Sequence, residues 1–207
     1  MSDLEDALDR AQRHLVAGRF PEAKAAVDEA FAISPSDDRV RGQYETVYLA
    51  HGIRLSGVAR ERRRAEIERR GRPGEVGRES DDVRNVFRDV LLAFDRVLAV
   101  NPTHAKALAL KAQVLFRIDR ENREQALALY AMATQAIEAT VPEGPARETG
   151  RRNLLRDRRR IEAPCRWCDD TGFCPECGGS GWRTVLGFRK KCEACLGHGT
   201  CKRCGVL

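Results

Sequence analysis

The residues of this chain best equipped for chemistry are eight cysteines, Cys165, Cys168, Cys174, Cys177, Cys192, Cys195, Cys201 and Cys204. They form four CxxC pairs within the last 43 of 207 residues, and the preceding 164 residues have none. In a secreted protein an even cysteine count suggests disulfides. Four CxxC pairs in a chain that opens on the acidic MSDLEDALDR read instead as thiolate metal ligands. Each CxxC can form a knuckle whose two sulfurs face one metal, and Gly178 and Gly205, directly after a second cysteine, let the backbone come close. Four knuckles suffice for two sites of four cysteines. All-sulfur tetrahedral coordination favours zinc, so two Zn2+ are expected.

The intervals between knuckles are 5, 14 and 5 residues, a mirror-symmetric spacing. It suggests nested pairing around an extended hairpin that closes at Trp182 and Lys191. One site is then Cys165, Cys168, Cys201 and Cys204, and the other Cys174, Cys177, Cys192 and Cys195. Adjacent pairing stays open as the tighter alternative, in which a five-residue link reverses the chain around each metal.

Charge is divided as unevenly as cysteine. Residues 1–144 carry 23 Lys+Arg against 24 Asp+Glu, and residues 145–207 carry 14 against 7. Eight thiolates and two zinc ions add −8 and +4, which lowers the excess of the C-terminal part from +7 to about +3. The basic residues Arg183, Arg189, Lys190, Lys191, Lys202 and Arg203 lie beside aromatic rings, the pattern of a surface for RNA or single-stranded DNA.

The cysteine region must be held by what precedes it, and residues 1–162 read as helices. SDLE is a capping box with Ser2 as cap, after which Leu4, Ala7, Leu8, Ala11 and Leu15 share a face. A turn at Gly18-Arg19-Phe20-Pro21 leads to a second helix with Ala23, Val27, Ala30 and Phe31 on its face, closed by Ser34-Pro35-Ser36. That ending recurs, because Ala30-Phe31-Ala32-Ile33-Ser34-Pro35 matches Val97-Leu98-Ala99-Val100-Asn101-Pro102. Between the two endings only Gly71-Arg72-Pro73-Gly74 through Ser80 breaks the pattern. The spacing therefore predicts one long helix from about Asp38 to Arg70, a loop at about 71–80, and a capping helix at about 145–162. The charged stretch Arg60 to Arg70 reads as a solvated protruding helix.

With Gly18, Phe20, Ala23, Ala30 and Pro35 at their mutual spacing, the first hairpin resembles the tetratricopeptide repeat. Residues 81–140 are similar through Leu108, Ala112, Leu115, Ala126, Tyr130 and Ala133. The resemblance implies an α-hairpin array that presents a concave surface to a partner protein. The members that clamp a C-terminal carboxylate use Lys and Asn at two repeat positions. Here those positions hold Leu8 and Gln12, and Ala109 and Gln113, so capture of a chaperone's acidic tail is not expected.

In the C-terminal domain, 163–207, the segments CPECGGSG and CEACLGHG, with Gly187-Phe188 between them, resemble the CxxCxGxG repeats of the DnaJ-type cysteine-rich zinc domain. The family pairs its first knuckle with its fourth and its second with its third. The first knuckle here, CRWCDDTG, keeps only the last glycine, and the chain has no J domain or His-Pro-Asp signature. The fold class expected is thus mainly α: a tetratricopeptide-like α-hairpin array followed by a small two-zinc β-hairpin domain.

The function expected is a non-enzymatic adaptor, assembly factor or chaperone-like client binder. Trp167, Phe173, Trp182 and Phe188, with Val185 and Leu186, are the candidate client contacts, because so small a domain buries few large side chains. Packing of Trp182 on Phe188 across the hairpin is the structural alternative. Nucleic-acid binding is the alternative function. The four histidines are scattered, His198 reads as a turn residue, and no P-loop, nucleophile elbow or HExxH occurs. Thiol catalysis is disfavoured because metal quenches the thiols. With no apolar run of about 18 residues, a cytoplasmic protein without a membrane partner or small-molecule substrate is expected.

Overall fold

A computed structural model describes residues 3–70 and 80–204. The helices α1 (Asp3–Val16), α2 (Phe20–Ile33), α3 (Asp38–Arg70), α4 (Asp81–Val100), α5 (Ala105–Ile118), α6 (Arg123–Thr140) and α7 (Pro145–Arg159) precede the strands β1 (Trp182–Val185) and β2 (Phe188–Lys191). The chain is therefore mainly helical with a two-stranded antiparallel sheet near its C-terminus. The capping residue Ser2, most of the expected loop (71–79), Gly205 and the side chains of Arg64, Ile67, Glu68, Arg69 and Arg70 lie outside the described residues.

Consecutive helices pack as antiparallel pairs, α1 on α2, α3 on α4 and α5 on α6, with α2–α3, α4–α5 and α6–α7 contacts joining the pairs. The recurring sequence ending has one geometry at both places. Ser34 N–H donates to the Ala30 carbonyl at 3.0 Å and Asn101 N–H to the Val97 carbonyl at 2.9 Å. The next helix then starts after an equivalent turn, with Asp37 N–H on the Ser34 carbonyl (3.3 Å) and His104 N–H on the Asn101 carbonyl (3.1 Å). At the start of α5, His104 Nδ1 accepts from Ala107 N–H at 3.2 Å, so a histidine does the work usually given to Ser or Asp. At the start of α4 that work falls to Ser80, whose hydroxyl oxygen accepts from Val83 N–H.

The stretch between the two endings forms a single long hairpin. Val83, Val86, Phe87, Val90, Phe94 and Val97 recur every three or four residues and are buried along α4. Gly52 of α3 sits so close to Phe94 that an added Cβ would lie 2.6 Å from its ring. A side chain there would hold the two helices apart. Beyond it, α7 buries only Leu154, and its last turn tightens as Ile161 N–H bonds to the Arg158 carbonyl at 2.9 Å. That tightening ends the helix at Arg159, short of the expected Glu162. It also drives Ile161 into the core beside Phe116 and Tyr130.

Candidate metal centre

The cysteine region is built from a backbone unit used three times. In each knuckle the first and second residues after the second cysteine, and the fourth, have positive φ: Asp169, Asp170 and Gly172; Gly178, Gly179 and Gly181; Leu196, Gly197 and Gly199. The hydrogen bonds repeat with them. Asp170, Gly179 and Gly197 donate N–H to the carbonyls of Cys165, Cys174 and Cys192 at 3.0, 3.1 and 3.1 Å. Thr171, Ser180 and His198 donate to Cys168, Cys177 and Cys195, each at 3.0 Å. The first knuckle, which lacks two of the glycines, adopts the same path with two aspartates in the left-handed region, a conformation Asp tolerates better than most residues.

The knuckles interlock through the last glycine of each unit. Cys192 N–H donates to the Gly181 carbonyl (2.9 Å), Cys174 N–H to Gly199 (3.0 Å) and Cys201 N–H to Gly172 (2.9 Å). A Cβ on Gly181 would lie 2.5 Å from the Gly197 carbonyl oxygen, and one on Gly199 would lie 2.2 Å from that of Gly179. Glycine is required at both because backbone meets backbone there.

This interlocking brings Cys165, Cys168, Cys201 and Cys204 together, and Cys174, Cys177, Cys192 and Cys195, with all four sulfurs of each group within 4.8 Å of one another. The sulfurs of Cys165 and Cys201 are 3.9 Å apart, those of Cys168 and Cys204 3.3 Å, of Cys174 and Cys192 3.9 Å, and of Cys177 and Cys195 3.8 Å. A disulfide needs about 2.05 Å, whereas a tetrahedron of metal–sulfur bonds of about 2.3 Å has edges of about 3.8 Å. The donor set and its dimensions therefore fit two four-coordinate metal ions, with knuckles one and four on one and two and three on the other. Gly181 N–H and Gly199 N–H donate to the sulfurs of Cys177 and Cys195 at 3.2 and 3.3 Å.

Burial is the largest influence on each shifted thiol. It pushes Cys174 up to about 12 and also raises Cys168, Cys195 and Cys204. In Cys165 and Cys192 burial is outweighed by backbone N–H donors two and three residues on, and both thiols fall below the ordinary range. Four thiolates in so small a volume repel one another, and a divalent cation is what allows all of them to ionise.

No protein-family profile, curated protein or solved structure matches the chain.

The first site is tied to the helices. Arg123 of α6 donates to the Ile161 carbonyl and to the Asp170 carboxylate, whose other oxygen accepts Cys165 N–H at 3.1 Å. Arg120 lies 4.0 Å over the Phe116 ring and fills the space beside Gly172, where a Cβ would lie 1.9 Å from its guanidinium. Arg63 of α3 covers the ring of Phe173 at 5.1 Å. These arginines were not candidates from sequence. The signal for them was the pair Asp169-Asp170 standing where the second knuckle has Gly178-Gly179 and the third Leu196-Gly197.

The candidate surface residues separate. The register pairs Trp182 with Lys191, Arg183 with Lys190, Thr184 with Arg189 and Val185 with Phe188. Alternation then puts Trp182 and Phe188 on opposite faces of the hairpin, so they do not pack on each other. Trp182 is instead covered by Arg189, at 4.9 Å. Trp167 is covered by Arg203 at 5.0 Å, and Phe173 turns toward α3. At the tip, Leu186 is 93% exposed, Phe188 73% and Val185 43%. Among the six basic candidates, Arg183 pairs with Glu176 at 3.3 Å and Lys202 donates to the Glu193 carbonyl at 3.4 Å. Lys190 and Lys191 are exposed on opposite faces.

Proposed function

We infer that the chain is a non-enzymatic zinc protein that binds other proteins, as an adaptor, assembly factor or chaperone-like holder of clients. The hairpin tip carries this reading. Leu186 and Gly187 both have positive φ, 51° and 81°, in a two-residue turn where Asn-Gly is the low-energy choice. A leucine in the left-handed region costs about 1 kcal/mol, and here it is also almost wholly exposed. An apolar side chain kept at an unfavourable backbone position, beside exposed Phe188 and Val185, is the expected mark of a contact made with something else.

Zinc would be held by the two cysteine groups and would supply charge neutralisation and rigidity, leaving no open coordination position for catalysis. The likeness of knuckles two and three to the DnaJ-type repeats supports a client-holding role. The helical pairs, with their repeated turn, support assignment as tetratricopeptide-like repeats. Residues 1–162 and 163–207 form the two domains of this reading, and a cytoplasmic location goes with thiolates that stay reduced. Among the described residues no helix is long and apolar enough to cross a membrane.

The test is suppression of aggregation of a chemically unfolded protein by the zinc-loaded chain, with and without nuclease. Suppression that Leu186→Ser with Phe188→Ser removes, at unchanged zinc content, is the expected result. Tip variants that behave as wild type would overturn the reading. Binding to an oligonucleotide that instead tracks Lys190 and Lys191 would establish the nucleic-acid alternative.

A further inference from the structure

Away from the hairpin tip, the helical array and the cysteine region share a groove. Its first part is an apolar pocket of ≈ 100 Å3 between α3, α4 and α5, floored by Ile53, Phe87, Leu110 and Val114 and edged by Arg60 and Arg117. Its second part is a cleft of ≈ 410 Å3 between α7 and the third and fourth knuckles. Gln113 of α5 lines both, so the two adjoin at its side chain. The pocket has the volume of one branched aliphatic side chain.

The charge along this path is mainly positive. Arg156 comes from α7, Arg160 from the residue just past its end and Lys202 from the fourth knuckle, and among the described residues the one acidic side chain in either wall is Asp157. Asp157 is already met by Arg156 Nε at 3.3 Å, Gln113 Nε2 at 3.3 Å and Arg160 Nη1 at 3.8 Å. The cysteines that reach the cleft, Cys195 and Cys201, are 2% and 1% exposed, while Leu196 projects from the same wall at 66%.

We propose that this groove binds an extended acidic segment of a partner protein, anchored by one aliphatic side chain in the pocket beside Gln113 and held by Arg156, Arg160 and Lys202. A polypeptide fits better than a nucleic acid because the pocket is an aliphatic hole of one side chain's volume, and of the two rings along the groove Phe87 is 1% exposed, leaving only the exposed imidazole of His198 where a nucleic-acid groove uses successive stacking rings. The site needs both domains, since one wall is α7 and the other is the metal-braced knuckles. It is independent of the hairpin tip and stands or falls separately from the client-holding reading.

The test is fluorescence anisotropy of the zinc-loaded full chain with a labelled peptide of one leucine followed by glutamates. Saturable binding is expected, weakened about tenfold by Arg156→Glu with Arg160→Glu, weakened also by Lys202→Glu in the opposite wall, and lost when the peptide's leucine becomes serine. Leu186→Ser with Phe188→Ser should leave this affinity unchanged. Lys202 is exposed, so its variant keeps the test valid if the double variant misfolds. Equal binding of a lysine-run peptide, displacement by oligouridylate, no response to the charge reversals, or no saturation by about 1 mM would overturn the proposal.

Discussion

The two cysteine sites have nearly the same sulfur geometry and different surroundings. The site of Cys174, Cys177, Cys192 and Cys195 is self-contained: its two knuckles are glycine-rich, clasp each other through Gly181 and Gly199, and carry the hairpin outward. The site of Cys165, Cys168, Cys201 and Cys204 has two aspartates in place of glycines, and one of them, Asp170, joins a ligand's backbone to Arg123 of α6. One site shapes a surface and the other fastens that surface to the helices. A backbone path can thus be set by residues that tolerate it, or by residues that tolerate it less well but gain partners in doing so.

The largest way to break this comparison is to remove one metal at a time. On the proposed two-zinc reading, Cys174→Ser with Cys192→Ser, and Cys165→Ser with Cys201→Ser, should each lower the metal content measured by mass spectrometry from two ions to one, because a structural zinc contributes about 10 kcal/mol or more. Limited proteolysis should then separate them. The inner variant should be cut within residues 178–191, and the outer variant near 163–165, where the region detaches whole.

Next in size is Arg123→Ala. It should lower stability by about 2–3 kcal/mol in thermal or denaturant unfolding while both zinc ions stay bound, because it strands the Asp170 carboxylate and the Ile161 carbonyl. Arg189→Ala, which only uncovers Trp182, should cost well under about 1 kcal/mol.

Proton release sharpens the same contrast. Cys174 holds its proton up to about 12 when no metal is present, so zinc binding must expel it. Affinity should therefore rise with pH, about tenfold per unit for each proton released, as competition with a chromophoric chelator would report. For the metal-free chain the sign reverses. The folded state holds this proton more tightly than the unfolded state, whose thiols titrate near about 9, so stability should fall as pH rises from about 9 toward 12.

Single backbone positions set a further contrast. Gly178→Ala should cost about 1 kcal/mol for positive φ alone, since nothing lies within 4 Å of its would-be Cβ. Gly181→Ala should cost distinctly more, because backbone must move. Leu186→Gly should raise stability by up to about 1 kcal/mol and, on the proposed client-holding role, weaken suppression of aggregation, as paired unfolding and aggregation assays would show.

Much of this was legible from local pattern. The long helix Asp38–Arg70 followed from the absence of any break, and the place where the hairpin closes, between Trp182 and Lys191, from the mirrored intervals. Both depend on residues near one another in the chain, where periodicity and turn chemistry act directly. The nested grouping was favoured by the same intervals and needed the fold to decide it against adjacent pairing. Packing of Trp182 on Phe188, one of the two alternatives, could be decided only by the structure, because proximity in sequence says nothing of which side of a pleat each occupies until the register is known.

By itself the sequence determined the helical pairs, the four knuckles and the amino-acid chemistry of the metal sites, since propensity, capping and CxxC spacing are properties of short segments. Only the tertiary structure decided that Arg63, Arg120 and Arg123, 100 or more residues apart from some partners and 47 from Asp170 in the case of Arg123, converge on the first site. It also decided that Gln113 joins an apolar pocket to a basic cleft. Contacts of that range depend on how the helical pairs stack, which is set by the summed packing of small and aromatic side chains such as Gly52 against Phe94 and not by any one motif.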